Sequence, residues 1–226
     1  MISNSNIMAF KEKYNHVIID NAQAYFQKPV KGVDTFYICR KFFGVPDGAF
    51  LYTDNRSFAL PEDDYEYVGD RIEHIIGRYE HDAGGFYQEY LKSEEKIADV
   101  ELHRMSQISD NFLRGLDYED IKNTRERNYD FLQKRLAPLN SLDIGSVAGS
   151  FMYPLFVPDG NKYRRRLADR GIYIPLLWPN VIDDENASEN EKRLAKDILP
   201  LPCDQRYTKD DMAYMSAQIE ECVKIG

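Results

Sequence analysis

A chain of 226 residues has room for one domain, or for a partial domain with a smaller one attached. A hydrophobic content of 43% marks it as globular, and 16 tyrosines with 12 phenylalanines predict wide aromatic packing. The formal net charge of −9 argues against nucleic acid as a partner, since a nucleic-acid footprint is basic, but leaves room for one local basic patch on a diphosphate.

In chain order, residues 7 to 14 read as the end of a helix, with Lys11 and Lys13 near its C-terminus. Val17 to Asp20 is a short apolar run that predicts a strand buried on both faces. Thr35 to Cys39 and Ala49 to Tyr52 read as strands flanking Lys41, with Asp47-Gly48 as the turn signal between them. Residues 62 to 136 look mainly helical. Ile72, Ile75, Ile76 and Tyr79 recur at helical spacing, as do Ile97, Val100, Leu102 and Met105. Ile121 to Leu136 predicts an amphipathic helix ended by Pro138, with Arg125, Arg127, Lys134 and Arg135 on its exposed sides. The polar stretch 139 to 146 suggests a boundary, giving units 1–140 and 141–226. The second unit then alternates strands and helices. The expected strands are Phe151 to Val157, Ile172 to Leu177 and a short one near Leu199; the helices are Asn161 to Arg170, Glu191 to Asp197 and Lys209 to Lys224. Gly160 and Gly171 bracket the first of these helices, and Thr208 with Asp211 forms a variant capping box before the last.

No run of about 18 apolar residues is present, so no membrane span is expected. The residues Met1 to Asn6 lack the charged and apolar regions of a signal peptide. Cys39, Cys203 and Cys222 are widely spaced with no Cys-x-x-Cys pair, which fits reduced thiols and a cytoplasmic location. His16, His74, His81 and His103 show no metal-ligand spacing, so no metal site is expected. Arg164-Arg165-Arg166 reads as a solvated helix face. Trp178 reads as packing or as lining for a substrate entrance.

The chemistry-bearing segment is Val17 to Gly48. A strand ends in the carboxylate Asp20, and a second β-rich segment ends in the amine Lys41. Pyridoxal phosphate needs this pair: an acid that keeps its pyridine nitrogen protonated and an amine that holds its aldehyde. Gln23 stands where it would reach the ring's phenolic oxygen, and Tyr37 is the neighbour of Lys41 expected to face the cofactor, with Thr35 a further candidate. The competing reading of each residue alone is a loop cap for Asp20 and a surface lysine for Lys41.

Several segments together resemble one family. They are Asp20-Asn21-Ala22-Gln23-Ala24; Lys41 followed by Gly44 and Asp47-Gly48; Arg104-Met105-Ser106; Arg125-Glu126-Arg127-Asn128-Tyr129; Gly171 to Pro179; and Leu199-Pro200-Leu201-Pro202-Cys203-Asp204. They resemble the DegT/DnrJ/EryC1/StrS sugar aminotransferases, a branch of the fold-type I pyridoxal phosphate enzymes. The resemblance implies an α/β fold: the C-terminal part of a large cofactor-binding domain, with a mixed sheet and helices, followed by a small α+β domain. It implies Lys41 as the Schiff-base lysine, Asp20 as the pyridine-nitrogen partner and Gln23 as the ring-oxygen contact. It also implies glutamate as amino donor, a keto-sugar nucleotide as acceptor, a role in amino-sugar or polysaccharide biosynthesis, and a homodimer. A family member carries several strand-helix units before the residue aligned with Asp20, which hold the cofactor phosphate and stack on its ring; here 16 residues precede Val17. The chain thus reads as an N-terminally truncated member, one half of a split enzyme whose other half is separately encoded, or a fragment. A non-catalytic remnant or interaction module is the alternative. Leu102 stands where the family commonly has an asparagine that reaches the neighbouring subunit's cofactor.

Overall fold

In the first part of the chain, β2 (Asp34–Ile38) is a central strand, joined on one side by β1 (Ile18–Asp20) in parallel and on the other by β3 (Ala49–Tyr52) in antiparallel. The computed structural model describes residues 4–55, 57, 68–81, 84–98, 102–145 and 147–224. Its contacts divide into two compact units, Met1–Asp117 and Tyr118–Gly226. The sequence-based boundary at 140 falls after the long helix, whereas the contacts group that helix with the second unit.

In the first unit, side chains alternate across β2 as the pleat requires. Thr35, Tyr37 and, just beyond the strand, Cys39 are buried, while Phe36 and Ile38 are half-buried on the other face. Tyr37, Tyr25, Phe26, Phe42 and Phe43 form one aromatic cluster, with Tyr25 edge-on to Phe43 at 4.7 Å and to Tyr37 at 5.9 Å. The strand expected to be buried on both faces is corrected here. Ile18 is 67% exposed and Asp20 is exposed, because β1 pairs with β2 alone among the described residues. All four residues of β3 are exposed as well.

The helices α1 (Asn4–Lys13), α2 (Gly69–Glu80), α3 (Tyr87–Ala98) and α4 (Gln107–Arg114) complete this unit. Helices dominate 62 to 136 where residues are described, but Leu102 and Met105, expected at helical spacing, lie between α3 and α4 outside both helices; residues 62–67, Val100 and the side chain of Ile97 lie outside the described residues. Helices α2 and α3 pack closely through Gly77. A Cβ there would come within 2.2 Å of the Phe86 ring, so the close approach requires glycine.

The second unit is a small α+β layer. The antiparallel pair β4 (Met152–Phe156) and β5 (Ile198–Pro202) packs with α5 (Tyr118–Leu136), α6 (Asn161–Ala168) and α9 (Lys209–Lys224); α7 (Pro179–Asp183) and α8 (Glu189–Asp197) precede β5. Tyr153, Leu155, Leu199, Leu201, Leu132, Leu136 and Leu167 are fully buried and form its centre. The capping box at α9 forms as expected. Asp211 accepts from the Thr208 N–H at 2.8 Å and hydroxyl at 2.7 Å, and Thr208 Oγ1 accepts from the Asp211 N–H. Gly171, at φ +78°, ends the α6 turn, with Ile172 N–H donating to the Leu167 carbonyl at 2.9 Å.

Three expectations change. Ile172 to Leu177 forms no strand; Ile172 and Ile174 reach the core from an extended segment, and Pro175 has no N–H to give to a ladder. Arg125 is 2% exposed rather than on an outer face, because its guanidinium donates to Gln205 Oε1 at 2.8 Å and to the Ser150 carbonyl at 3.0 Å. Burial pushes its pKa below the ordinary arginine value. Arg164 differs from its solvated neighbours Arg165 and Arg166: it donates to the Lys196 and Ile198 carbonyls at 2.6 Å each, closing the end of α8. No helix among the described residues is long and apolar enough to cross a membrane.

Candidate active site

Parallel pairing decides where the candidate groups meet. Asp20 ends β1 in register with Phe36 of β2, and Lys41 lies in the turn beyond the end of β2. Both strands run the same way, so the segment Asp20 to Gln23 and the turn bearing Lys41 leave from the same carboxyl edge of the sheet. Open α/β sheets bind ligands at that edge.

The Asp20 carboxylate is exposed, and its Oδ1 accepts from the Ala22 N–H at 2.8 Å, an Asx turn that fixes the exit from β1. The Asn21 N–H continues the ladder to the Phe36 carbonyl at 3.0 Å. Gln23 sits in the next turn, closed by Ala24 N–H to the Asn21 carbonyl at 3.0 Å, and is half-buried.

Lys41 occupies a tight turn. The N–H groups of Phe42 and Phe43 both donate to the Cys39 carbonyl, at 2.9 and 3.0 Å, and Cys39 N–H donates to the Gly48 carbonyl at 2.9 Å, closing the neck of the loop. Phe42, Phe43 and Val45 are buried, which holds the backbone down while the Lys41 side chain remains half-buried. Burial pushes the Cys39 thiol up to about 12, helped by the nearby charge of Asp47.

Tyr37 and Thr35 stand apart from Asp20. Registered partners in a parallel pair share a face, so Asp20 lies on the side of Phe36, and Tyr37 and Thr35 point to the other. The Tyr37 hydroxyl donates to the Gln27 carbonyl at 2.9 Å, and burial raises its pKa. Thr35 donates to the Val33 carbonyl at 3.2 Å. Asp20, Gln23 and Lys41 are thus gathered at one edge, while Tyr37 and Thr35 belong to the packed face beneath.

Two partnerships were not read from the sequence. Asp47 Oδ2 accepts from the Ser106 N–H at 2.9 Å, and its Oδ1 accepts from the hydroxyls of Ser106, at 2.9 Å, and Ser109. Arg40 donates to Glu94 of α3. The signal for the first was present, since Ser106 sits as a helix N-cap, but its carboxylate partner lies 59 positions away. Trp178, at φ +50° and 53% exposed, lines a groove of roughly 480 Å³ with Val181, Leu194 and Ile198. No group of His, Cys, Asp and Glu that could hold a metal ion occurs among the described residues.

No protein-family model and no curated protein matches the sequence. Solved structures do match. An aminotransferase described as DegT DnrJ EryC1 StrS from Brucella abortus aligns with a TM-score of 0.55 and 13% identity over 98% of this chain and 61% of its own. The sugar aminotransferase CalS13 from Micromonospora echinospora aligns with a TM-score of 0.55 and 16% identity over 96% and 61%. DesV from S. venezuelae, solved in complex with a ketimine intermediate, aligns with a TM-score of 0.58 and 13% identity over 97% and 62%. Along nearly its whole length, and over about three-fifths of theirs, this chain has the fold of the DegT/DnrJ/EryC1/StrS aminotransferases.

Proposed function

We propose that the chain carries the cofactor-holding lysine edge of a pyridoxal phosphate-dependent aminotransferase, with Lys41 as the lysine, Asp20 as the partner of the pyridine nitrogen and Gln23 as the contact to the ring oxygen. The observation that carries the reading is the common carboxyl edge of β1 and β2, from which all three residues leave. The residues present fit the cofactor. Asp20 spends one carboxylate oxygen on its Asx turn, and neither the Lys41 amine nor the Gln23 amide has a hydrogen-bond partner among the described residues. Bound there, the cofactor supplies an electron sink next to the donor's alpha carbon. Asp20 keeps a negative charge against the ring nitrogen, Gln23 orients the ring, and the Lys41 amine carries the proton to and from the reacting carbon. Tyr37, bonded to Gln27 on the packed face, serves the site by stiffening β2 rather than by touching the ring.

Glutamate as donor and a keto-sugar nucleotide as acceptor complete the proposal, in amino-sugar or polysaccharide biosynthesis in the cytoplasm. The fold shared with a protein named as a sugar aminotransferase supports the acceptor class. A separately encoded N-terminal half is the partner proposed to supply the cofactor phosphate contacts, and a homodimer is the assembly proposed from the family resemblance.

A second reading is an interaction module without catalysis. The exposed Ile18, Phe50, Leu51 and Tyr52 on the outer strands favour it, since apolar strand surfaces mark association sites. One experiment separates the two. Pyridoxal phosphate is added to the purified chain, absorbance is scanned, and the product is reduced with borohydride and mapped by peptide mass. An imine band with the adduct on Lys41, lost in Lys41→Ala, supports the aminotransferase reading. No band, or adducts scattered over exposed lysines, supports the interaction module.

A further inference from the structure

We propose that Asp47 and Arg40 are positioning residues for Lys41, pinning the two ends of its loop to the N-terminus of α4 and to Glu94 of α3, and so fixing where the amine points. The inference rests on reading Lys41 as the cofactor-holding lysine.

The loop from Cys39 to Gly48 is closed at its neck by one backbone hydrogen bond and packed there by sulfur. A Cβ on Gly48, which lies at φ +109°, would sit 3.6 Å from Cys39 Sγ and from Met105 Sδ. Those contacts hold the neck, and buried Phe42, Phe43 and Val45 hold the turn after Lys41. Asp47 ties the loop at one end. Its two oxygens take an N–H and two hydroxyls from the first turn of α4, where the helix dipole also favours a negative charge. Ser106 and Ser109 are 2% and 0% exposed, so withdrawing the carboxylate takes a partner from buried polar groups.

Arg40 acts at the other end, next in the chain to Lys41. Its ion pair with Glu94 reaches a helix that is itself packed: one turn earlier, Tyr90 meets His74 of α2 edge-on at 5.7 Å, and Arg78 lies 6.0 Å from the Tyr90 ring. The pair is half-buried, which favours geometry over net stability. A long side chain with free rotamers reaches a reacting atom only part of the time, and a pinned backbone removes part of that loss.

The test reads Lys41 with and without cofactor in the full chain, in wild type, Asp47→Asn, Asp47→Glu and Arg40→Met. Competitive acetylation with acetic anhydride at one fixed pH measures the Lys41 rate against those of Lys209 and Lys224 and needs no cofactor. The Lys41 rate relative to theirs is expected to rise about threefold in Asp47→Asn and Arg40→Met, and Asp47→Glu is expected to return part of the way. Melting curves show which variants keep the fold; Arg40→Met serves if Asp47→Asn does not. Trapping with pyridoxal phosphate and borohydride is then expected to fall about tenfold at Lys41 alone. An unchanged relative Lys41 acetylation rate in every folded variant overturns the inference. A raised rate in a chain whose wild type is never trapped at Lys41 upholds the positioning and overturns the aminotransferase reading instead.

Discussion

Around β4 and β5 the second unit buries Tyr153, Leu155, Leu199 and Leu201 completely, whereas β1 and β3 of the first unit leave Ile18, Phe50, Leu51 and Tyr52 between 41 and 67% exposed. The strands are comparably short and apolar in both places. What differs is coverage: α5, α6 and α9 close over the second sheet, while β2 alone among the first unit's strands has a packed face, and that face is built from aromatic rings. The first unit has polar ties, Asp47 to α4 and Arg40 to Glu94, at the loop that bears Lys41. A unit organised this way keeps exposed strands and a tied loop at one edge. The other is organised around its own core.

The largest expected effect tests that division directly. Leu199→Ala removes a fully buried side chain and should cost about 2–5 kcal/mol of unfolding free energy. Leu51→Ala, at 45% exposure on β3, should change stability by about 0.5 kcal/mol or less. Urea denaturation of both variants checks the pair. A large loss from Leu51→Ala would mean that β3 is covered in the working protein, and the exposed strand would then be an interface.

Much of this contrast was legible in the residues, and the part that was not has a physical cause. Periodicity placed β2, β3, α5 and α9, and Thr208 with Asp211 gave the α9 cap, because each signal lies within a few residues. Apolar runs do not report coverage, so Val17 to Asp20 looked like an interior strand although its neighbours leave it exposed. Ile172 and Ile174 alternate like a strand, yet they meet the core without a ladder, since alternation tells which side chains turn inward and not which backbone pairs. Arg125 looked solvated because its partners, Ser150 and Gln205, are 25 and 80 positions away. At the site, the order of Asp20, Gln23 and Lys41 was visible. The separation of Tyr37 from them appears only once the register of β1 against β2 is known. Asp47 was read as half of a turn signal, and its grip on Ser106 and Ser109 needed the fold.

Each unit holds one fully buried thiol pushed up to about 12 by desolvation, Cys39 in the first and Cys203 in the second. The sign follows from linkage. An acid whose folded value lies above its unfolded value near 9 keeps its proton in the native state while the unfolded chain loses it. The stabilisation is complete below about pH 9 and disappears as pH rises toward 12. Denaturation midpoints should therefore fall between pH 8.5 and 10.5, roughly one to two units around the unfolded thiol value, and fall less in Cys203→Ala. Native-state alkylation sharpens the comparison between units. Cys39 sits at the neck of a loop and is expected to label about tenfold faster than Cys203, which opens only with the core. Equal rates would mean that the first unit is as closed as the second.

The smallest expected effect is at the α9 cap. Thr208→Ala removes the oxygen that accepts from the Asp211 N–H and the hydroxyl that donates to the Asp211 carboxylate, and should cost about 1 kcal/mol. The Thr208 N–H and hydroxyl hold the Asp211 carboxyl below the usual carboxylate range, so its share of the cap is present above the unfolded value and is lost as pH falls through the lowered folded one. Wild type and Thr208→Ala should thus differ at neutral pH and converge in acid, read as urea midpoints at each pH. Helix α2 of the first unit has Val68 as its N-cap residue and no side-chain cap, so the measurement asks how far the second unit depends on such local ties. A loss below about 0.3 kcal/mol, under the range typical of caps, would show that Met212, Met215, Ile219 and Cys222, all buried in the core, hold α9 in place by packing alone.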